Sequence, residues 1–463
     1  MNQSRRKFLQ HSCLTLGATA LASSVERFGL INAMAQTATD YKALVCVFLF
    51  GGNDGNNMVV PYDLNDPTQY PAYAAVRGQS TSGGIGIPQA SLLPVVAPSH
   101  SRQFGLHPNL TEMQALYNQS KLAVLCNVGT LVQPTTKSQF QSGTGLPFNL
   151  FSHDDQQNQW QTALSNTESR TGWGGRLADV IRTLNGSVPI PAVTSVAGLN
   201  LFVTGAQTQP LSIPQSGTFG LSGGTGNSTA STARYNALQQ ILTYDRSAAL
   251  VNSASNTLQQ AITNSNTLNP IITNASSAAA PFFSSLNTSI SKQLFQVAKV
   301  IEGRATTNLK RQIFFVSLGG FDTHNGQVAT QQSLFSQLSP ALKAFYDATV
   351  QLGVADKVTT FTLSDFGRTF KPASGGGSDH AWGNHHLIMG GAVRGGDFYG
   401  TFPRLTLSGP DDVTNEGRWL PTTSVDQYAA TLARWFGLTQ ASDLATVFPN
   451  LSHFTSPYLN FLG

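Results

Sequence analysis

Two distant stretches of this chain repeat one pattern. Val47-Phe48-Leu49-Phe50-Gly51-Gly52-Asn53-Asp54 and Phe315-Val316-Ser317-Leu318-Gly319-Gly320-Phe321-Asp322 each pass from an apolar run through two glycines and one further residue to an aspartate. A third apolar run ends directly in Ser364-Asp365-Phe366-Gly367-Arg368-Thr369. Carboxylates gathered in one place repel one another unless they are protonated or share a cation. Histidines travel with these aspartates: Asp322-Thr323-His324, then Asp379-His380 after Gly375-Gly376-Gly377-Ser378, with His385 and His386 close behind. Mixed carboxylate and imidazole donors suit zinc or manganese, and a carboxylate-dominated set suits calcium. The spacing nominates Asp54, Asp322, His324, Asp365, Asp379 and His380 as ligands of such a divalent ion. The competing role for an aspartate after Gly-Gly is to cap a helix or close an Asx turn. His385 and His386 are adjacent, so at most one of them faces the same site.

A nucleophile is less clearly marked. Phe151-Ser152-His153-Asp154-Asp155-Gln156 precedes a helical stretch containing Trp160. Ser152 stands where the N–H groups and dipole of that helix favour an anion or an alkoxide; equally, a serine before two aspartates is an ordinary N-cap. Arg368 is the candidate anion clamp through its bidentate guanidinium, and Arg176, in Gly172-Trp173-Gly174-Gly175-Arg176, reads as structural.

Four apolar, β-prone runs must carry these residues: 43–50, 122–128, 313–318 and 358–363. Unbroken runs of this kind suit strands buried on both faces, as in a parallel sheet. Helical spacing appears over 109–119 and over 331–352, the latter through Leu334, Leu338, Leu342, Phe345 and Leu352. Strand, helix, strand is a crossover unit. The fold class is therefore α/β with a mostly parallel central sheet. In open sheets of this type ligands bind beyond the carboxyl ends of the strands, which is where Asp54, Asp322 and Asp365 would emerge.

The middle of the chain differs. No Asp, Glu, Lys or Arg occurs from 247 to 291, where Ala, Ser, Asn and Thr dominate. Helices broken at Pro270 and Pro281 are expected there, after a Gly/Ser/Thr-rich loop over 216–232. The whole region, about 206–300, reads as a mainly helical insertion.

The N-terminus reads as a twin-arginine signal peptide over 1–35. Arg5-Arg6 precedes an apolar stretch beginning near Cys13, and Ala33-Met34-Ala35 supplies a small-x-small cleavage site. The stretch is too short and too rich in small polar residues to span a bilayer, so no stable membrane span remains after cleavage. The expected partner is the twin-arginine export machinery, and the expected location is periplasmic or secreted. Charged residues make up only 11% of the chain, and most of its net charge of +4 lies in the signal. A mature domain near neutrality carries no nucleic-acid footprint. Cys46 and Cys126 lie in apolar runs as buried thiols or, in an oxidising compartment, a disulfide. No haem or iron–sulfur cysteine motif is present.

The segments GGNDG, FSHDDQ, GWGGR, GGFDTH, SDFGRT and GSDHAWGNHH, in this order, resemble a bacterial twin-arginine-exported family known as domain of unknown function 1501. That family in turn resembles, distantly, the alkaline phosphatase and sulfatase superfamily. The resemblance implies a three-layer α/β/α sandwich with a metal site at the sheet's carboxyl edge. By the same resemblance Asp54, Asp322, His324 and Asp365 would be ligands, and His380 would complete the shell. Ser152 would correspond loosely to the nucleophile. Phe366 stands where a histidine ligand is expected, which departs from a two-zinc site. The function implied is hydrolysis of a small-molecule or polymer ester of phosphate or sulfate. The alternative is a non-catalytic exported binding or assembly protein on the same scaffold.

Overall fold

Apolar runs long enough to be buried on both faces build the centre of the molecule. The computed structural model describes residues 40–221 and 228–463. The signal predicted for 1–35 lies outside these residues, as does part of the 216–232 loop. In chain order the strands begin with β1 (Lys42–Leu49), β2 (Val59–Pro61), β3 (Leu93–Ala97), β4 (Arg102–Leu106), β5 (Leu122–Gly129) and β6 (Val193–Ser195). They continue with β7 (Leu211–Ser212), β8 (Arg311–Leu318), β9 (Val358–Ser364), β10 (Asn384–Gly390), β11 (Phe398–Gly400) and β12 (Thr423–Ser424). Strands β2, β4 and β3 form a small antiparallel sheet. The other nine form one sheet in the order β11-β5-β10-β9-β1-β8-β6-β7, with β12 paired to β5.

The large sheet is mostly parallel, as its apolar runs predicted. β1 pairs in parallel with both β8 and β9, and only β10 runs against its neighbours β5 and β9. No apolar run announces β10, whose first residues, Asn384-His385-His386, are polar although the strand is buried along its length.

Alternation along β1 separates two cores. Ala43, Val45, Val47 and Leu49 pack with Met113, Leu294, Val297, Phe335 and Leu338 on one face. Leu44, Cys46 and Phe48 pack with Trp173, Leu177, Tyr428 and Leu432 on the other. Helices Thr111–Asn118, Ser289–Glu302 and Gln327–Gln351 thus cover one face, and Trp173–Ile181 and Val425–Phe436 the other. This is the three-layer sandwich. Cys46 and Cys126 are buried free thiols on opposite faces, so the disulfide alternative falls.

The region from 206 to 300 is mainly helical, and its helices divide between the layers and the periphery. Ser289–Glu302 belongs to the helical layer over the sheet, burying Ile290, Leu294, Val297 and Ile301. Thr229–Ile241 and the first half of Ala249–Ile272 stand further out, with Ser231 and Ser255 their buried residues. Pro270 does not break its helix but sits in the last turn of Ala249–Ile272. Pro281 lies in the first turn of Ala280–Phe283, where its missing N–H costs nothing.

Candidate metal centre

Register brings three strand ends level. Leu49 of β1 lies opposite Leu318 of β8 and Ser364 of β9, so the chain segments that follow all leave at one edge. Two glycines make the crowding there possible. A Cβ on Gly51 (φ +113) would lie 2.3 Å from the Asp322 backbone nitrogen, and one on Gly52 (φ +84) would lie 2.5 Å from the Phe366 ring. Only glycine tolerates both the positive φ and the approach.

Three imidazoles converge at this edge. His153, at the start of the helix His153–Thr162, places Nδ1 2.7 Å from Asp365 Oδ2. His324 Nδ1 lies 3.1 Å from Asp379 Oδ1, and His380 Nδ1 lies 2.8 Å from the Phe151 carbonyl oxygen. Carboxylates and carbonyls accept hydrogen bonds, so in the tautomer that places the hydrogen on Nδ1 each ring turns a bare Nε2 the other way. Those Nε2 atoms meet at one carboxylate. His153 Nε2 is 3.4 Å from Asp322 Oδ2; His324 Nε2 and His380 Nε2 are 3.0 and 3.2 Å from Asp322 Oδ1. The two latter nitrogens are 3.0 Å apart, and donor atoms of His153, Asp322 and His380 all lie within 4.8 Å of one another. Ligands of a tetrahedral ion at 2.0–2.2 Å are separated by roughly 3.4 Å. Acceptor atoms this close repel unless positive charge sits between them.

The surroundings fix the cluster from behind. The Asp365 carboxylate is fully buried and receives the Gly51 N–H (3.0 Å) and the Gln157 amide (2.7 Å) besides His153. The Phe366 ring stacks on His380 (centroids 4.5 Å apart) and tilts against His153 (4.8 Å), forming an apolar floor. Phe151 adopts φ +74, a strained conformation for a bulky residue, and this aims its carbonyl at His380. Arg418 braces that turn, with its guanidinium 4.9 Å from the Phe151 ring centroid and Nε donating to the His380 carbonyl at 2.7 Å.

The residues nominated from sequence are thus sorted by the structure. Asp322, His324 and His380 come together. Asp365 and Asp379 stand one bond further out, each holding an imidazole through an oxygen placed against its Nδ1. Asp54 does not join them. It caps a short helix through the Asn56 N–H (3.1 Å) and pairs with Arg77 at 2.5 and 3.1 Å, also receiving the Gln327 amide at 2.5 Å. Both side chains of this ion pair are buried, so Arg77 supplies the cation that the sequence reading gave to a metal.

Arg368 is likewise not an open anion clamp. It is fully buried, and its donors go to Asp322 (2.8 Å), the Gly51 carbonyl (3.3 Å) and Ser378. Ser152 donates its hydroxyl to Asp155 at 2.7 Å. Arg176 bonds the carbonyls of Thr162, Thr171 and Val447, as its structural reading anticipated. His385 receives the Asn127 N–H and stacks on Phe402, while His386 faces Trp160. Burial holds both imidazoles down to about 3.

His153 was missed. The available signal was its place beside Ser152: the helix start chosen for a nucleophile delivers an imidazole instead.

Electrostatics agree with an anionic focus. Burial pushes the Asp322 carboxyl up, but Arg368, His324 and His153 outweigh it and hold it below the usual carboxylate range. The Asp365 hydrogen bond raises His153, against burial. Burial lowers His380, assisted by Arg368, which favours its bare, neutral form.

A mostly parallel α/β/α sandwich with an imidazole-rich cluster beyond its strand ends defines the class. The chain belongs to the family described as "Protein of unknown function (DUF1501)", whose sequence profile matches residues 41–447. Comparison with curated proteins gives no match. Among solved structures, Ps i-CgsB in complex with k-i-k-neocarrahexaose is 10% identical, with 90% of this chain and 78% of that chain covered and a TM-score of 0.33. The lipoteichoic acid synthase LtaP from Listeria monocytogenes is 7% identical over 88% and 75% of the two chains, with a TM-score of 0.33. The C-terminal periplasmic domain of EcEptC from Escherichia coli, in complex with Zn, is 11% identical over 90% and 88%, with a TM-score of 0.32. Likeness at this level speaks to neither substrate nor mechanism.

Proposed function

We propose that this protein is an exported metal-dependent hydrolase of phosphate, sulfate or related esters. The observation that carries the reading is the convergence of three oriented imidazole Nε2 atoms on the Asp322 carboxylate. His153, His324, His380 and Asp322 would hold one divalent ion. A donor set dominated by imidazole fits zinc or manganese, and it argues against calcium, which takes oxygen ligands. Asp54 is already neutralised by Arg77, so this site is mononuclear.

Bound there, the ion would polarise the ester oxygen and stabilise charge on the leaving group. The remaining work falls to the chain itself. Asp365, Asp379 and the Phe151 carbonyl keep each Nε2 unprotonated and aimed. Arg368 keeps Asp322 ionised. Phe366 excludes water from beneath the imidazoles. Water is the attacking group in this reading, since the Ser152 hydroxyl is committed to Asp155.

One observation favours a non-catalytic binding protein instead: Ser152 and Arg368, the two groups offered for catalysis, are both occupied internally. Elemental analysis combined with a panel of aryl and alkyl phosphate and sulfate esters separates the readings. Metal-dependent turnover that disappears in His380→Ala supports the hydrolase; a fully loaded protein without turnover supports the binding protein.

A further inference from the structure

A cavity of about 360 Å³ opens directly beside the cluster and shares His324 and Asp379 with it. Asn325, Lys371, Ser374 and Glu416 continue the wall, and no Phe, Tyr or Trp lines it. Ligand cavities of this size are ordinarily apolar, with a few polar groups for orientation. This one inverts the proportion.

Its polar groups are also free to bind. Among the described residues the side chains of Lys371, Asn325 and Ser374 have no hydrogen-bond partner within the protein. Glu416 gives one oxygen to Arg418 (2.5 Å), and Asp379 gives one to His324 (3.1 Å), leaving the second oxygen of each. Donors and acceptors therefore stand ready together. One ammonium against two carboxylates does not favour a further anionic group on the ligand.

The wall is preformed. Gly375 and Gly376, at φ +89 and +72, make a tight turn. Backbone bonds tie it to the segment after His324, from Gly326 N–H to the Gly375 carbonyl (3.2 Å) and from Gln327 N–H to the Gly376 carbonyl (3.0 Å). A Cβ on Gly377 would lie 2.1 Å from the His324 carbonyl. A rigid wall keeps its hydrogen-bonding geometry without an ordering cost on binding.

We infer that this cavity takes the alcohol half of the ester, and that this alcohol is polyhydroxylated, a sugar or polyol. Hydroxyl groups donate and accept, so they satisfy both kinds of free group in the wall. An aryl or alkyl group would strip water from those groups and leave them unpaired. The inference rests on the ester-hydrolase reading and adds its substrate class.

Calorimetric titration of the zinc-loaded protein tests it. The probes are inorganic phosphate, phenyl phosphate and glucose 1-phosphate, with inorganic sulfate, phenyl sulfate and glucose 6-sulfate as the parallel arm. The sugar ester of one arm binds about tenfold more tightly than its aryl ester. The double variant Asn325→Ala, Lys371→Met, both at exposed positions, brings the sugar ester down to the aryl ester's affinity. An aryl ester that binds as well as the sugar ester overturns the inference and leaves the hydrolase reading standing. A preference that survives in the double variant overturns its assignment to this cavity. Binding of none of the probes, inorganic anions included, overturns both.

Discussion

Each histidine of the cluster has two nitrogens with separate duties, and substitutions at the two ends have different signatures. His153→Ala or His380→Ala removes a donor, and bound metal is lost on dialysis. Asp365→Asn leaves the donors in place but weakens the hydrogen bond that sets the His153 tautomer. Its effect, read by competition with a chelator, is a fall in metal affinity of roughly 10–100-fold. Ser152→Ala changes neither metal content nor turnover by more than about threefold, because the hydroxyl serves Asp155; a loss of a thousandfold in turnover would restore Ser152 as nucleophile. Asp54→Ala behaves differently again. It strands the buried Arg77 guanidinium, so urea unfolding shows a loss of about 3–5 kcal/mol, with metal content unchanged in whatever protein remains folded.

At the scale of elements, the site depends on level strand ends and on helices that do not shift. The helix Val425–Phe436 carries an unusual group in its first turn: Asp426 is wholly buried. Burial drives its carboxyl up to about 8 from an ordinary 3.8, against the pull of its own backbone amide and Arg176. The unfolded chain releases that proton near 3.8, and the folded chain holds it until about 8. Between those values the folded state binds more protons, so stability falls as pH rises through the window and levels off above it. Asp426→Asn removes that slope, as melting temperature measured from pH 5 to 9 will show; an unchanged slope would mean the group is already ionised at low pH.

The elements also show what the sequence could disclose. Continuous apolar runs marked β1, β5, β8 and β9 within a residue or two, because strands buried on both faces need no alternation. β10 escaped because its first residues looked like chemistry. Asp322 was legible from Gly-Gly spacing at a strand end, and His324 and His380 from their places beside aspartates. Asp54 shared the same spacing with Asp322, yet Arg77 reaches it from a helix 23 residues on, a contact no local pattern announces. His153 was hidden for the converse reason: its partners Asp365, Asp322 and His380 come from segments far along the chain.

For the whole molecule, the proposed function requires an export signal ahead of the described domain. Among the described residues no helix is long and apolar enough to cross a membrane. A metal site assembled from three separated segments, as proposed, would form only after folding, which suits transport in the folded state. Changing Arg5→Lys and Arg6→Lys together leaves the uncleaved precursor in the cytoplasm on fractionation; continued export would show that another signal directs it.

The most direct test of the central claim is the metal content of the purified mature chain, measured by elemental analysis after extensive dialysis. The account predicts about one equivalent of zinc or manganese per chain, falling to background in His153→Ala and in His380→Ala while Asp54→Ala keeps its ion. A wild-type chain that retains no divalent metal and gains no thermal stability when zinc or manganese is added would contradict it.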